Sequence, residues 1–267
     1  IHPVIFARRK TVTNTNPSAG CCTMSDSGNP KTILTALEKG DLTLLGQFVA
    51  GSNETFLAAI RHPEFEGRVV YKPEAGEQPL WDFPPHTLSR REVAAFLFSE
   101  ALGWELVPPT VYRKNAPLGK GSVQLFLEHD PDYHYFSFRP EHIARLQPVA
   151  IFDVIINNAD RKGGHILVDA NDHLWLIDHG VCFHREEKLR SVIWNFAGQP
   201  LPDNLCADLS RLAERLEKPQ DQLREDLQKL LSKEEVQALA QRTRRLLEAG
   251  IFPIPSQNRR PYPWPPI

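Results

Sequence analysis

Short apolar runs separated by turn residues mark the first part of the chain as rich in β-strands. Residues 42–49 and 55–60 are both apolar and flank a Gly-Ser-Asn turn at residues 51–53, which predicts a β-hairpin. β-Branched and aromatic side chains predict a third strand over residues 68–72, which Pro73 ends. The pattern therefore predicts three antiparallel strands at the start of the fold.

A helix and two more strands are predicted to complete this first region. Apolar side chains recur at helical spacing over residues 89–102, and Gly103 stands where the helix is expected to end. Further short strands are predicted at residues 110–112 and 122–127. Residues 24–130 are therefore interpreted as an N-terminal lobe of five strands and one helix.

The second part of the chain has mostly helical periodicity. A helix is predicted over residues 141–156, followed by two short strands at residues 166–168 and 173–177. Beyond Pro202, leucine stripes at helical spacing predict further helices that pack through one face. Residues 131–250 are therefore interpreted as a second, mostly helical lobe.

Both ends of the chain differ in composition from these two regions. The single methionine is Met24, so residues 1–23 are interpreted as an upstream or disordered extension. Their basic residues, with no acidic residue among them, leave a targeting peptide as the alternative. Residues 251–267 are rich in proline, which excludes a helix and predicts an extended or mobile tail.

Charge and cysteine content exclude several classes of protein. The formal net charge is −2, with no basic cluster of the kind that binds nucleic acid. No apolar run approaches the roughly 18 residues that a membrane-spanning helix requires. The four cysteines have neither paired metal-ligand spacing nor the density of a disulfide scaffold, which indicates a reducing cytoplasm.

The densest polar signal lies in the second predicted lobe, directly after the helix predicted over residues 141–156. It covers residues 157–165 and is followed by Asp178 after a predicted hairpin. If that hairpin turns at residues 169–172, antiparallel pairing brings His165 beside Asp178. With Asp160 in the preceding loop, two carboxylates and an imidazole are expected close together. Such a cluster suits divalent cation binding and proton transfer.

The order of these residues resembles that of the bacterial phosphatidylinositol 3-/4-kinase-like family, which is also related to HipA-type kinases. Asp160-Arg161 resembles the beginning of the lipid-kinase pattern Asp-Arg-His-x-x-Asn. Lys162 stands in place of its His, and His165 in place of its Asn. Residues 177–180 resemble its Ile-Asp-Phe-Gly. The resemblance implies an α+β, bilobal protein-kinase-like fold, with a small β-rich N-lobe and a mostly helical C-lobe.

The resemblance also implies roles for the residues of the polar cluster. Asp160 would orient and deprotonate an acceptor hydroxyl, and Lys162 would neutralise charge on the transferring γ-phosphoryl group. Asp178 and His165 would bind Mg2+ or Mn2+, and the imidazole nitrogen would favour Mn2+.

The first lobe is expected to hold ATP. A kinase lobe needs a lysine on its third strand and a glutamate on the following helix, and Lys72 and Glu92 occupy those places. Ser52 and Asn53, in the first hairpin turn, would donate to the phosphates. The hinge that contacts adenine would consist of Phe126, Leu127 and Glu128.

The predicted function is therefore ATP-dependent phosphotransfer to a hydroxyl of an acceptor that can be a small molecule, a lipid or a protein. A nucleotidyl transferase on the same fold is one alternative. A nucleotide-binding pseudokinase or regulator, and a metal-dependent hydrolase that uses the His and Asp cluster, are others.

Structural interpretations of the same residues also remain open at this point. Lys72 can be a solvated strand lysine, and Glu92 can be the capping-box partner of Ser89. A structural zinc site is an alternative use of the histidine and cysteine side chains at His165, His173, His179, Cys182 and His184.

Overall fold

The computed structural model describes residues 29–49 and 51–267, so the predictions for residues 1–23 and for Met24 lie outside the described residues. The described chain divides into two compact units. The first contains residues up to 89 together with 109–128, and the second contains residues 90–108 and 129–267.

The first unit is built on one antiparallel sheet with the strand order β1-β2-β3-β5-β4. Its elements are α1 (Pro30–Lys39), β1 (Asp41–Gln47), β2 (Phe56–His62), β3 (Phe65–Pro73), β4 (Thr110–Arg113) and β5 (Gly121–Leu125). All five strands lie where the apolar pattern predicts them. The helix α1 was not predicted; it begins at Pro30, and the side chain of Asn29 caps it by accepting from the amide of Lys31.

Helix α2 (Leu88–Leu102) begins one residue before its predicted start, and Gly103 ends it with a φ of +69°. The predicted capping box between Ser89 and Glu92 is wrong, because Ser89 lies inside the helix and donates its amide to Oε1 of Glu77 at 2.8 Å. Residues 90–102 of this helix group with the second unit, although the sequence assigned the helix to the first lobe.

The second unit is mostly helical. Its remaining elements are α3 (Pro140–Ala144), α4 (Gln147–Ile156), β6 (Ile166–Val168), β7 (Leu174–Leu176), α5 (Asp203–Glu217), α6 (Gln222–Leu230) and α7 (Lys233–Ala249). The single helix predicted over residues 141–156 is wrong. Pro148 has no amide hydrogen for a helical bond to the preceding turn, so α3 ends and α4 starts anew at Gln147.

Buried leucines hold the C-terminal helices together, as their periodicity predicts. The capping box between Ser232 and Glu235 at the start of α7 is confirmed. Arg242 of α7 donates from Nε to the carbonyl of Ile155 at 2.8 Å and so fastens α7 to the buried helix α4. None of the helices in the described part of the chain is both long and apolar enough to cross a bilayer.

The proline-rich segment 251–267 contains no helix and is part of the second unit. Phe252 is buried, and its carbonyl accepts from the amide of Gly198 at 2.9 Å. Further along, the carbonyls of Pro261 and Pro266 accept from the backbone amides of Ser191 and Gly163. The segment therefore has the extended course that its prolines predict.

Candidate active site

The β6–β7 hairpin brings His165 and Asp178 together. Ile166 pairs with Leu176, and the amide of Ile177 donates to the carbonyl of His165 at 3.1 Å. His165 Nε2 and Asp178 Oδ2 are consequently 3.4 Å apart. The neighbourhood expected from antiparallel pairing is thus present in the structure.

Asp178 combines an unusual backbone conformation with an accessible carboxylate. Its φ is +62°, in the left-handed region that non-glycine residues seldom occupy. Its side chain is 49% exposed, against 15% for the His165 imidazole. A ligand can therefore reach the carboxylate directly, and the strained conformation is of the kind found at functional sites.

Asp160 lies in the loop before the hairpin and pairs with Lys162, whose Nζ is 3.5 Å from Asp160 Oδ2. Burial raises the pKa of Asp160 from 3.8 to about 6. The Lys162 ammonium opposes this rise, whereas the charge of Asp178 adds to it. A carboxyl group with a pKa this close to neutrality is suited to accept a proton during catalysis.

Arg161 links this loop to the hairpin from a fully buried position. Its Nε donates to both carboxylate oxygens of Asp153, at 3.0 and 3.1 Å. Nη1 donates to the carbonyls of Ile177 at 2.9 Å and His165 at 3.2 Å, and Nη2 donates to Nε2 of His179 at 2.8 Å. One guanidinium therefore bonds to His165 itself and to both chain neighbours of Asp178.

Glu92 holds the same turn from helix α2. Its Oε2 accepts from the backbone amide of His179 at 2.9 Å and lies 3.8 Å from Nδ1 of that ring. Both side chains are buried. This contact was not predicted from sequence, and it makes Glu92 a support of the residue that follows Asp178.

The asparagines before Asp160 fix the start of the loop. Asn157 ends α4 in a left-handed conformation, and its Nδ2 donates to the carbonyls of His184 and Glu186 at 2.9 and 2.6 Å. Asn158 donates from Nδ2 to Asp153 Oδ1 at 3.0 Å and accepts from the amide of Asp160 at 2.9 Å. The loop is thus tied to the end of α4.

The sequence contains an indication that Asp153 pairs with Arg161, although the kinase motifs do not include Asp153. Asp153 is a charged residue inside the otherwise apolar helix α4, and a buried carboxylate requires a partner. The nearest motif arginine, Arg161, is that partner. For Glu92 and His179 no local pattern indicates the contact, because the two residues are far apart in sequence.

In the first unit, the residues predicted to contact phosphate lie in the turn between β1 and β2. Ser52 is exposed, and the side-chain oxygen of Asn53 accepts from the amide of Gln78 at 2.8 Å. Lys72 lies on β3 opposite Ser122 of β5. The roles of Ser52, Asn53 and Lys72 in ATP binding, and the pairing of Lys72 with Glu92, stay predictions.

The predicted hinge directly follows β5. The amide of Phe126 donates to the carbonyl of Arg68 at 3.0 Å, and the guanidinium of Arg68 lies over the Phe126 ring, 4.9 Å from its centroid. Arg68 also forms an ion pair with Glu128, and Leu127 is buried. The segment is held in place by the first unit itself, and its contact with adenine stays a prediction.

His165 and Asp178 fit a divalent cation as a partial ligand set. Mg2+ commonly takes only one or two protein ligands, with phosphate oxygens and water completing the set.

The structural zinc site is not supported, since residues 29–49 and 51–267 contain no group of three or more His, Cys, Asp or Glu able to hold a metal. His173 Nε2 instead contacts the carbonyl of Glu105 at 2.8 Å, and burial raises the pKa of the Cys182 thiol well above its usual value.

Comparison with sequence families gives a match over residues 90–240 to the sequence model described as phosphatidylinositol 3- and 4-kinase. The matched residues include the whole loop and hairpin described above, together with Glu92. They make up more than half of the chain.

Two relatives differ in how much of their length is matched. Protein Rv2133c of Mycobacterium tuberculosis is 38% identical, and the match covers 86% of this chain and 93% of that protein. Phosphatidylinositol 4-kinase gamma 4 of Oryza sativa subsp. japonica is 36% identical over 46% of this chain, and that match covers 25% of the rice protein.

Two solved structures share the fold at low identity. The hydra Fam20 structure with sugar has a TM-score of 0.54 and 15% identity, covering 82% of this chain and 87% of that chain. The Golgi casein kinase has a TM-score of 0.53 and 16% identity, covering 82% of this chain and 73% of that chain. These similarities show a kinase-like fold, as the arrangement of motifs implied.

Proposed function

Because this chain belongs to the phosphatidylinositol 3- and 4-kinase family, a family of kinase-like phosphotransferases, we propose that it transfers the γ-phosphoryl group of ATP to a hydroxyl of its acceptor. One observation carries the proposal. The loop with Asp160 and the hairpin with His165 and Asp178 are held together by the buried guanidinium of Arg161.

Asp160 acts as the base in this proposal. Its pKa of about 6 leaves the carboxylate mostly ionised at neutral pH yet still basic enough to accept a proton from a hydroxyl. Lys162, at 3.5 Å from the carboxylate, places a positive charge where the transferring group would carry negative charge.

Asp178 and His165 would hold Mg2+ or Mn2+, which supplies charge neutralisation on the β- and γ-phosphate oxygens when bound. Arg161 and Glu92 keep these ligands in place, the first through the carbonyls of His165 and Ile177 and the second through the amide of His179. The carboxylate of Asp178 is exposed enough to be reached by a metal-bound nucleotide.

The first unit would bind the nucleotide. Lys72 would contact the α- and β-phosphates, with Glu92 orienting it, and Ser52 and Asn53 would lie over the phosphates from the β1–β2 turn. Adenine would contact the segment formed by Phe126, Leu127 and Glu128.

The acceptor is proposed only as a compound with a hydroxyl group. The rice relative is named as a phosphatidylinositol 4-kinase, which makes a phosphoinositide one candidate acceptor, but the match covers only 25% of that protein. A small molecule and a protein are the other candidates. Incubation with phosphatidylinositol vesicles, or with a deproteinised or protein extract, distinguishes the three by which fraction gains phosphate.

Thermal unfolding with ATP and either Mg2+ or Mn2+ tests the nucleotide part of the proposal. A ligand that binds only the folded chain raises the melting temperature by mass action. We expect a rise that requires the metal and that is reduced in Lys72→Met and in Asp178→Asn. A folded parent that shows no shift at hundreds of micromolar ATP with either ion contradicts the proposal.

A further inference from the structure

The segment Pro261–Ile267, called the strap below, lies along the loop that carries the proposed base. The amide of Gly163 donates to the carbonyl of Pro266 at 2.8 Å. The amide of Ser191 donates to the carbonyl of Pro261 at 3.0 Å. The strap is therefore bonded near both of its ends to backbone that surrounds the candidate active site.

The first of these bonds falls inside the candidate catalytic loop, defined as residues 158–165. Gly163 is buried and lies between Lys162 and His165. A shift of its peptide plane would move the residues on both sides, because the backbone has only two soft torsions per residue. A bond at this point restrains the loop where the proposed base and the proposed metal ligand are joined.

The bond from Ser191 to Pro261 connects the strap to the buried ion pair of Arg161 and Asp153. Ser191 donates its amide to the strap and its Oγ to Asp153 Oδ2 at 3.1 Å. Arg161 pairs with Asp153 and also forms a parallel β-bridge with Ser191. The strap, the segment around Ser191 and the catalytic loop thus run side by side.

The ring of Phe136 also packs against the loop at Gly163. A Cβ atom at Gly163 would lie 2.8 Å from ring carbons of Phe136, so the loop backbone is packed directly on that ring. A Cβ atom at Gly164 would lie 4.0 Å from Cγ2 of Ile267 in the strap. The two glycines therefore lie near Phe136 and near the strap, respectively, and a side chain at position 163 would clash with the Phe136 ring.

The strap is stiff and is fastened at its entry. Four of its seven residues are proline, which restricts φ and lowers the entropy lost on ordering. Arg259 donates to the carbonyl of Glu187 at 2.6 Å, Arg260 lies over the ring of Trp264 at 5.3 Å, and Pro263 is buried. Such a segment can hold a loop in one geometry better than a flexible chain can.

We propose that the strap is a positioning element of the active site, whose carbonyl oxygens at Pro261 and Pro266 hold the catalytic loop in the geometry that phosphoryl transfer requires. This inference rests on the proposed function. Displacement of a catalytic group by about 1 Å can lower a rate by about a hundredfold. Loss of the strap is therefore expected to lower kcat by about tenfold to a hundredfold.

The test compares the full chain with a variant that lacks residues 261–267, and with a second variant in which the same residues are replaced by glycine and serine. Tyr262→Ala is the matched control, because it removes an exposed strap side chain that is not among the fastening contacts and leaves both carbonyl acceptors in the chain. Three quantities are measured for each protein. They are the amide hydrogen exchange of peptides covering residues 159–166 and 190–193, the kcat and KM for ATP, and the melting temperature.

We expect exchange in both peptides to be at least about tenfold faster in the two strap variants. The deletion removes the carbonyl acceptors of the Gly163 and Ser191 amides, and the glycine-serine replacement keeps carbonyls but on a flexible chain that holds them less firmly. The KM for ATP and the melting temperature should change little while kcat falls, and Tyr262→Ala should resemble the parent. A purely structural role would lower the melting temperature without this separation of kcat from KM.

Unchanged exchange in the folded strap variants overturns the inference, as does a kcat equal to that of the parent. A higher kcat also overturns it, because the strap would then be inhibitory. If the deletion variant fails to fold, the glycine-serine variant decides between these outcomes, and if it also fails to fold the strap belongs to the core and the inference is wrong. If the parent itself transfers no phosphate, the proposed function fails, whereas the exchange measurement still shows whether the strap holds the loop.

Discussion

Arg161 donates from Nη2 to Nε2 of His179 at 2.8 Å, so a buried guanidinium determines which nitrogen of this imidazole carries its proton. Arginine has only donors, and Nε2 must therefore accept. The neutral ring then carries its hydrogen on Nδ1, on the side where Glu92 Oε2 lies 3.8 Å away. The residue after the proposed metal ligand Asp178 is thereby held from both sides.

Replacement of His179 by Phe, the residue that the lipid-kinase pattern has at this place, should destabilise the protein. The variant removes the acceptor of a buried guanidinium N–H, and an unsatisfied buried donor costs about 1–3 kcal/mol. The free energy of unfolding in urea measures this change. His173→Phe is the control, because its bond to the carbonyl of Glu105 is exposed and a surface change of this kind costs about 0.5 kcal/mol. Equal stability of His179→Phe and the parent would show that the contact contributes nothing.

The ion pair of Arg161 and Asp153 should be costly to break from one side. Both side chains are buried, and Arg161→Met leaves the Asp153 carboxylate without its cation, which typically costs about 3–5 kcal/mol. Arg211→Met is the matched control, since Arg211 is 69% exposed in its pair with Asp208 and such pairs contribute at most about 1 kcal/mol. Urea unfolding of both variants gives the comparison, and similar losses in the two would contradict the central position of Arg161.

The raised pKa of Asp160 predicts a decrease in stability as pH rises from about 4 to 6. The folded chain holds this proton up to about pH 6, whereas the unfolded chain releases it near 3.8, so more protons are bound in the folded state over this interval. Stability contributed by protonated Asp160 is therefore present below pH 3.8 and lost above about 6.

Urea unfolding of the parent and of Asp160→Asn, measured without metal from pH 4 to 8, tests this sign. The difference in unfolding free energy should move in favour of Asp160→Asn as pH rises towards 6 and then stay constant. A difference that moves in the opposite direction would mean that the environment of Asp160 lowers its pKa.

His165 should influence which metal supports activity. Nitrogen ligands favour Mn2+ over Mg2+ more than amide oxygens do, so His165→Asn is expected to raise the ratio of the rate with Mg2+ to the rate with Mn2+. The ratio is measured at equal free metal and saturating ATP. His173→Asn, on the same hairpin but directed to the carbonyl of Glu105, should leave it unchanged. An identical ratio in His165→Asn and the parent would remove His165 from the metal site.

The parts of this fold that local patterns determine were predicted well. The turn of the β6–β7 hairpin at residues 169–172 follows from sequence spacing, and with it the approach of His165 to Asp178. The break between α3 and α4 was also predictable, because Pro148 removes a helical bond, but the apolar periodicity across residues 141–156 outweighed it.

The supports of the site were not predicted, because they join residues that are distant in sequence. Glu92 accepts from the amide of His179, 87 residues further along, and no local rule fixes that pairing. The same holds for the bond from Gly163 to the carbonyl of Pro266. Composition predicted that the proline-rich segment is extended but gave no indication of where it lies.

Transfer of label from ATP tests the central claim most directly. Parent and Asp160→Asn are incubated, with and without Mg2+ or Mn2+, with ATP labelled either at the γ- or at the α-phosphate, in the presence of an acceptor extract. We predict that only the γ-label reaches an acceptor, that the metal is required, and that Asp160→Asn transfers none while its melting temperature still rises with ATP. Transfer of the α-label would indicate nucleotidyl transfer, and binding without transfer of either label would indicate a nucleotide-binding regulator. Either result, or equal transfer by Asp160→Asn and the parent, would contradict the account.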